Sequence, residues 1–333
     1  MSVAQMTIAA DEADWRFDRW CKKHFPHLAF GQMQRLLRTG QFRLDGRRLD
    51  AAARLQPGQV VRIPPLPVAD GEAAGPAVKA PRTVSTADAK FIRSLVLYED
   101  EHLIAIDKPA GLAVQGGSKT YRHVDGMLDA FVGRDGQRPR LVHRLDRDTS
   151  GILVLARSGS AARELVFAFQ QHRVRKLYWA VLVGAPTRNE GRIDLPLAKA
   201  GPSGRERMEV DPEEGGQFAR TSFKILARAG KVGAWVALQP HTGRTHQLRA
   251  HMNAIGTPIL GDGKYGGKVA HPDGAPKGLM LHARELELPH PTKGRLLIEA
   301  PPPLDFRQAL NWLGLGEPEL PGATLAEWPT EGR

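Results

Sequence analysis

The densest concentration of reactive side chains in the sequence is His143-Arg144-Leu145-Asp146-Arg147-Asp148-Thr149-Ser150-Gly151, just ahead of the apolar residues 152–155. Polar residues crowd a turn that feeds a buried strand. Glycine, serine and threonine serve the backbone of such a turn. Two carboxylates interleaved with arginines are not needed for it. An aspartate held near arginines stays ionised, so it can act as a nucleophile or a base at neutral pH. The bland alternative is that Asp146 or Asp148 caps the turn or pairs with Arg147.

A second cluster is His241-Thr242-Gly243-Arg244-Thr245-His246-Gln247-Leu248-Arg249-Ala250-His251. Its spacing predicts a helix over residues 245–255, with Leu248 and Met252 facing inward and Thr242 or Thr245 as the cap. An arginine beside the free N–H groups at a helix start suits a phosphate or a carboxylate. The histidines do not make a metal site: the HExxH glutamate is missing, and Cys21 is the only cysteine. Gly261-Asp262-Gly263-Lys264-Tyr265-Gly266 matches GxGxxG in letters, but loop-like sequence follows it. No glycine stands at P-loop spacing before a Gly-Lys-Ser/Thr, so nucleotide-driven chemistry is not expected. Residues 175–184 read as a strand in which Tyr178 is, by residue type, a packing residue. Asp107-Lys108-Pro109-Ala110-Gly111 reads as a strand-ending turn and Gln115-Gly116-Gly117 as a flexible loop.

The elements that must position these clusters are mostly strands. Strand-like runs fall at residues 95–98, 103–106, 152–156, 178–183, 219–227, 233–238, 278–283 and 295–300. Helical stretches fall at 124–132, 160–172, 245–255 and 305–313. Strands outnumber helices and do not alternate with them, which predicts an α+β fold with a mixed, mostly antiparallel sheet. Residues 64–89 are rich in Pro, Ala and Gly with no apolar period, so the expected organisation is a small module over 14–64, a linker over 65–90, a large domain over 91–313 and a loose tail over 314–333.

The N-terminal module carries the charge. The chain has 333 residues and a formal net charge of +11. Between Trp15 and Arg62 stand eleven Lys and Arg against three acids, a local charge of +8. Phe17, Trp20 and Cys21 recur at helical spacing, as do Met33, Leu36 and Leu37, and Gly40 suits the end of the second helix. Asp45-Gly46 predicts a hairpin turn, and Pro57-Gly58 another before a strand. A basic patch of this density points to a polyanionic partner, most simply RNA. No apolar run reaches the roughly 20 residues that cross a bilayer, and the N-terminal residues are acidic where a signal peptide is basic. A lone cysteine fits a reducing compartment, so a cytoplasmic protein is expected.

HRLDRDTSG resembles the signature of the RluA-type pseudouridine synthases. IDKPAGLAVQGG precedes it, and RKLYWAVLVG, HTGRTHQLRAHM and GLMLHARELELPHP follow it in that family's order, so the resemblance spans about residues 95 to 305. The segment RFDRWCKKHF…MQRLLRTGQFRLDGRRL…LQPGQVVRIP resembles the αL RNA-binding module shared with a small-subunit ribosomal protein. Together with the loop at Gln115-Gly116-Gly117-Ser118, where the family has His in place of Gln115, this looks most like the RluC subgroup that modifies 23S ribosomal RNA.

The resemblance implies a pseudouridine synthase catalytic domain and an isomerase that acts on RNA without cofactor or metal; no coiled-coil or swapped element suggests more than a monomer. It implies Asp146 as the catalytic carboxylate, Arg244 as its ion-pair partner and Tyr178 as the residue that stacks on the target base. Arg144 would occupy the space left by the flipped uridine, and His143 and Leu281 would line the substrate site. Arg16, Arg19, Arg35, Arg38, Arg43 and Arg47 would bind the RNA. Transfer RNA stays open as the target, as do a non-catalytic ribosome-assembly factor and an N-glycosidase that cleaves the base and stops.

Overall fold

The computed structural model describes residues 4–66, 84–117, 120–133, 136–201, 207–211, 215–316 and 323–328. The chain separates into two compact units, residues 1–82 and 83–333. Much of the predicted linker, residues 67–83, lies outside the described residues.

In the first unit, β1 (Ala4–Thr7) leads to α1 (Phe17–His24), α2 (Phe30–Arg38), β2 (Arg43–Leu44) and β3 (Val60–Ile63). The three strands form a sheet in the order β1-β3-β2. The helices bury the residues that the spacing selects: Phe17, Trp20 and Cys21 from α1, Met33 and Leu37 from α2, against Phe42, Leu55 and Val61. Asp45 and Gly46 both take positive φ, 48° and 76°, as the hairpin turn requires. The hairpin itself is minimal, one bridge between Leu44 and Arg47. The main partner of β2 is β3, because the Asp45 carboxylate accepts the Val60 N–H at 2.8 Å and draws the turn onto that strand.

A buried carboxylate ties this unit together. Glu12 accepts hydrogen bonds from Trp20 Nε1 at 2.8 Å and Lys23 Nζ at 3.1 Å, and meets His24 Nε2 at 2.6 Å. Burial pushes its pKa up, but these bonds and the Ala9 N–H outweigh burial and hold it at about 2.

The second unit opens with α3 (Thr86–Ser94), β4 (Val96–Glu99), β5 (Leu103–Lys108), α4 (Val124–Met127) and β6 (Arg140–Leu141). It continues with β7 (Ser150–Ala156), α5 (Gly159–Gln170), β8 (Arg175–Val183), β9 (Glu190–Asp194), β10 (Leu197–Ala200), β11 (Arg207–Val210), β12 (Arg220–Ala229) and β13 (Gly233–Pro240). It ends with α6 (Gln247–Ala254), β14 (Leu281–His290), β15 (Gly294–Glu299) and α7 (Leu304–Trp312). Ten strands, in the order β4-β5-β7-β14-β8-β13-β12-β9 with β6 beside β7 and β15 beside β14, make one sheet. β7 and β14 run parallel and the other pairs are antiparallel. The sheet is therefore the mixed, mostly antiparallel one expected.

Both faces are covered. Along β7, Ile152, Val154 and Ala156 enter one core with α5, while Leu153 and Leu155 enter another with α3 and α4. Along β8, Leu177, Trp179 and Val181 pack with α7, and Ala180 and Leu182 pack with Leu248 and Met252 of α6. Among the described residues no helix is long and apolar enough to cross a membrane.

Three expectations need correction. The C-terminal end of the predicted linker is helix: α3 begins at Thr86, where Ser85 accepts the Asp88 N–H and caps it. The tail is not loose over residues 323–328. Leu325 and Trp328 are buried, Trp179 Nε1 donates to Ala323 O, and Arg175 Nη2 donates to Leu325 O and Trp328 O. The residues of the tail at 317–322 and 329–333 lie outside the described residues. Finally, α6 starts at Gln247 with His246 as its N-cap, and neither Thr242 nor Thr245 fills that place.

Glu12→Gln removes the charged acceptor at the centre of the first unit. The expected loss is about 1–3 kcal/mol of that unit's stability, the range for hydrogen bonds to a charged group, read as faster amide exchange across α1. Because the folded pKa lies below the ordinary 4.5, the wild-type contribution is complete above that value and is lost as pH falls toward about 2. The variant shows no such acid limb.

Candidate active site

Asp146 lies on the loop between β6 and β7, and the loop is fastened to the turn after β5. Lys108 is fully buried, and its ammonium donates to Pro109 O, Leu112 O and Arg147 O at 3.0, 2.9 and 3.0 Å. Gly111 N donates to Arg147 O at 2.9 Å, and Arg147 Nε returns a bond to Gly111 O at 3.0 Å. Burial pushes the Lys108 pKa down to about 8 against the opposing charges of Asp148, Asp146 and Asp107. Asp107-Lys108-Pro109-Ala110-Gly111 is thus the strand-ending turn predicted, with a lysine that clamps the loop carrying Asp146.

The strand after that loop reaches β14 through a glycine. Gly151 has φ +105°, and a Cβ there would stand 2.3 Å from Ala283 O. The parallel pairing of His282 with Ser150 and Ala283 with Gly151 depends on this absence of a side chain. Since β14 also pairs Ala283 with Tyr178 of β8, the aspartate, the tyrosine and Leu281 arrive at one end of the sheet.

Asp146 faces two cavities. One, of about 810 Å³, is lined by Ala110, Gln115, Gly116, Arg147, Lys264 and Leu279 with others. The second, of about 520 Å³, includes Tyr178, Lys176, Phe169, Arg244, Leu248 and Leu281 in its wall. Arg144, Leu145, Asp146, His246 and Arg249 border both. Tyr178 keeps its phenolic proton, since burial and then the charge of Asp146 raise its pKa. Leu281 and Tyr178 pack in the same apolar cluster.

The charged partner of Asp146 differs from the one expected. Arg244 is exposed and turned to the chain before β12, with Nε donating to Phe218 O at 3.0 Å and Nη1 to Gln217 Oε1 at 2.9 Å. The group nearest the carboxylate is His246, whose Nε2 stands 3.8 Å from Asp146 Oδ2. Its Nδ1 is hydrogen-bonded to the Tyr265 hydroxyl at 2.9 Å, and that oxygen accepts the Met208 N–H at 3.0 Å. Burial lowers the His246 pKa, so the ring is neutral at pH 7. Its backbone is left-handed, with φ +52° and ψ +21°, a conformation that costs a non-glycine residue about 1–3 kcal/mol and clusters at functional sites.

Arg249, on α6, supplies the buried cation. Nε and Nη2 bind Asp262 Oδ2 and Oδ1 at 2.8 and 2.7 Å. Burial lowers the Arg249 pKa, but Asp262 and then Asp146 outweigh it and raise it. The side chains of Arg249 and Asp262 are 7% and 0% exposed. In the sequence both arginines stand in the same cluster. Arg249 lies within α6 and is buried with Leu248 and Met252, where it meets Asp262, whereas Arg244 precedes the helix and turns to Phe218 and Gln217. Asp262, within the GxGxxG look-alike, carried no signal of this role.

Among the other sequence-predicted residues, Arg144 is exposed at the mouth of both cavities and, among the described residues, its guanidinium has no partner. His143 lines the second cavity but serves the fold. Its Nε2 accepts the Val154 N–H at 2.8 Å, its ring stacks on Phe169 at 4.4 Å, and burial pushes its pKa to about 3. In the first unit, Arg16 pairs with Asp18, Arg19 lies 4.3 Å over Trp15, and Arg43 donates to Gly46 O. Arg35, Arg38 and Arg47 are exposed and, among the described residues, unpartnered. No cluster of His, Cys, Asp or Glu among the described residues is arranged to hold a metal ion.

A mixed sheet that brings a half-buried carboxylate, a phenol and a leucine to the wall of one cavity, beside several arginines, fits an enzyme that works on a polyanion. The RNA pseudouridylate synthase family model matches residues 102–254. Over 90% of this chain and 89% of the relative, the sequence is 35% identical to an uncharacterised RNA pseudouridine synthase of Synechocystis. It is 34% identical to ribosomal large subunit pseudouridine synthase C of Rickettsia typhi, over 89% of this chain and 97% of that protein. The structure of human RNA pseudouridylate synthase domain containing 4 superposes with a TM-score of 0.58 at 29% identity, covering 69% of this chain and 97% of that one. The chain belongs to the RNA pseudouridylate synthase family. It is an isomerase that converts uridine in RNA to pseudouridine.

Asp262→Asn leaves the buried Arg249 guanidinium without its charge partner. The expected cost is about 3–5 kcal/mol, measured by urea denaturation. Combining it with Arg249→Met recovers most of that loss, because the cost lies in the orphaned charge.

Proposed function

We propose that this enzyme modifies uridines of 23S ribosomal RNA and that Asp146 is its catalytic carboxylate. The observation that carries the reading is the placement of Asp146 in the wall of the cavity that Tyr178 and Leu281 also line. Several relatives are named ribosomal large subunit pseudouridine synthase C, including those of Salmonella typhi and Vibrio cholerae at 33% and 34% identity.

The reaction breaks the N1–C1′ bond, turns the uracil and joins C5 to C1′. C5 loses a proton and N1 gains one, so no external reactant is consumed. The target uridine leaves its stack to enter the cavity, at a cost of a few kcal/mol. Stacking on Tyr178 returns about 1–3 kcal/mol, and the unpaired Arg144 fills the vacated position in the RNA. Asp146 then acts at the ribose as nucleophile or base. Arg244 serves at the rim, where RNA phosphates pass.

For the first unit, two helices and a small sheet with Arg35, Arg38 and Arg47 free on the surface support the reading of an αL RNA-binding module. Regular A-form RNA hides its base edges, so the target uridines belong to loops.

Carbodiimide labelling and primer extension on 23S RNA transcript tests the assignment. Wild type is expected to create stops and Asp146→Asn none, with RNA affinity within several-fold. Stops on transfer RNA alone would overturn the ribosomal assignment, and equal stops from the variant would remove Asp146 from the chemistry. Replacing Arg35, Arg38 and Arg47 together with Gln is expected to flatten the salt dependence of binding, by a slope of about 0.7–0.9 for each phosphate no longer neutralised. An unchanged slope would place the RNA-binding surface elsewhere.

A further inference from the structure

Three cations set into the second unit have oxygen partners. Lys108 has three carbonyl oxygens, Arg249 has Asp262, and Arg175 has Glu287 together with two carbonyls. Lys176 does not. Among the described residues its ammonium has no hydrogen bond and no carboxylate within ion-pair distance. Burial has pushed its pKa down to about 8. The neighbouring His143 is no counterion, because its ring is neutral and accepts the Val154 N–H.

The position of Lys176 gives this unpaired charge a purpose. It stands on β8 two residues before Tyr178, so both side chains leave the strand on the same face. Both line the cavity that contains Asp146. The exposed arginines Arg144, Arg147 and Arg244 already serve the rim. Lys176, like Tyr178, is half-buried.

A partly desolvated cation without an anion is costly, and an incoming negative charge removes the cost. The reaction produces one. When the N1–C1′ bond breaks, its electron pair stays on the uracil, which is then an anion delocalised over N1, O2 and O4. The charge persists until its electron pair forms the C5–C1′ bond; the neutral ring then gives up the C5 proton to a base and takes one up at N1.

We propose that Lys176 is a further catalytic residue whose ammonium faces the carbonyl oxygens of the flipped uracil and stabilises its negative charge as the glycosidic bond breaks. The inference rests on the reading that Asp146 acts on uridine in this cavity.

The test uses the full chain and total RNA from a strain lacking it, with conversion mapped by carbodiimide labelling. Single-turnover rates and RNA affinity are then compared for wild type, Lys176→Met and Lys176→Arg on an RNA that carries a mapped site. The expected result for Lys176→Met is a rate at saturating RNA lower by about 100-fold, the scale for removing one preorganised donor, with affinity within about threefold. Lys176→Arg restores at least a tenth of the wild-type rate. A urea-unfolding midpoint for the second unit equal to that of wild type shows that the methionine variant is folded. A weaker affinity with a flatter salt slope would make Lys176 a phosphate ligand and overturn the proposal, as would an unchanged rate. Wild type without activity on total RNA would overturn the functional reading itself.

Discussion

The end of the sheet that carries the candidate site depends on one close approach, the parallel meeting of β7 and β14 at Gly151 and Ala283. β4, β5, β6 and β7 come from one stretch of chain, and β8, β9, β12 and β13 from a later one. β14 lies between them and pairs with β7 on one side and β8 on the other. A side chain at position 151 would collide with the β14 backbone. Without that approach, the loop carrying Asp146 and the strand carrying Tyr178 would belong to separate sheets. The Lys108 clamp then holds the loop down, because a fully buried ammonium is stable only while it keeps its three carbonyl oxygens.

Charge is managed unevenly around the site. Lys108 and Arg249 are neutralised by fixed oxygens, whereas Lys176 is not. The carboxylate of Asp146 is left with a histidine at 3.8 Å and no closer ionic partner among the described residues. It is thus available to a substrate rather than committed to the fold. His246 is held by Tyr265 in a left-handed conformation to reach that position. The Glu12 knot in the first unit is the opposite case. Its acceptor oxygens are occupied by donors from α1 and the turn before it, and its role is to hold a small unit together.

Much of this was legible in the residues. The apolar periods located β5, β7, β8, β12 and β13, the stretches that form α5 and α7, and the inward face of α6, because each of these elements is buried on a regular pattern. The helix pair and the Asp45-Gly46 turn of the first unit followed from spacing and from the need for positive φ. What was missed had weak local signal. β9, β10 and β11 are short and polar, and the far half of β14 carries Arg284, Glu285 and Glu287 within the strand. The segment Ala323–Trp328 is short and lies among prolines and glycines. Its burial comes from a surface of β8 and β14 that is distant in the chain.

The sequence alone determined the kind of chemistry. A carboxylate among arginines, a strand-borne tyrosine, no metal-binding pattern and no P-loop narrowed it, and the ordered motifs resembled one family. These signals are local, resting on residue type and short spacing. Tertiary structure decided which charge meets which. Arg244 and Arg249 are equivalent letters in one motif. The chain before α6 leaves the first at the surface, and the packing of α6 brings the second to Asp262, thirteen residues away. Lys108 becomes a clamp and Lys176 an unpaired cation for the same reason. The partner of a charge is set by long-range packing, which residue spacing does not encode.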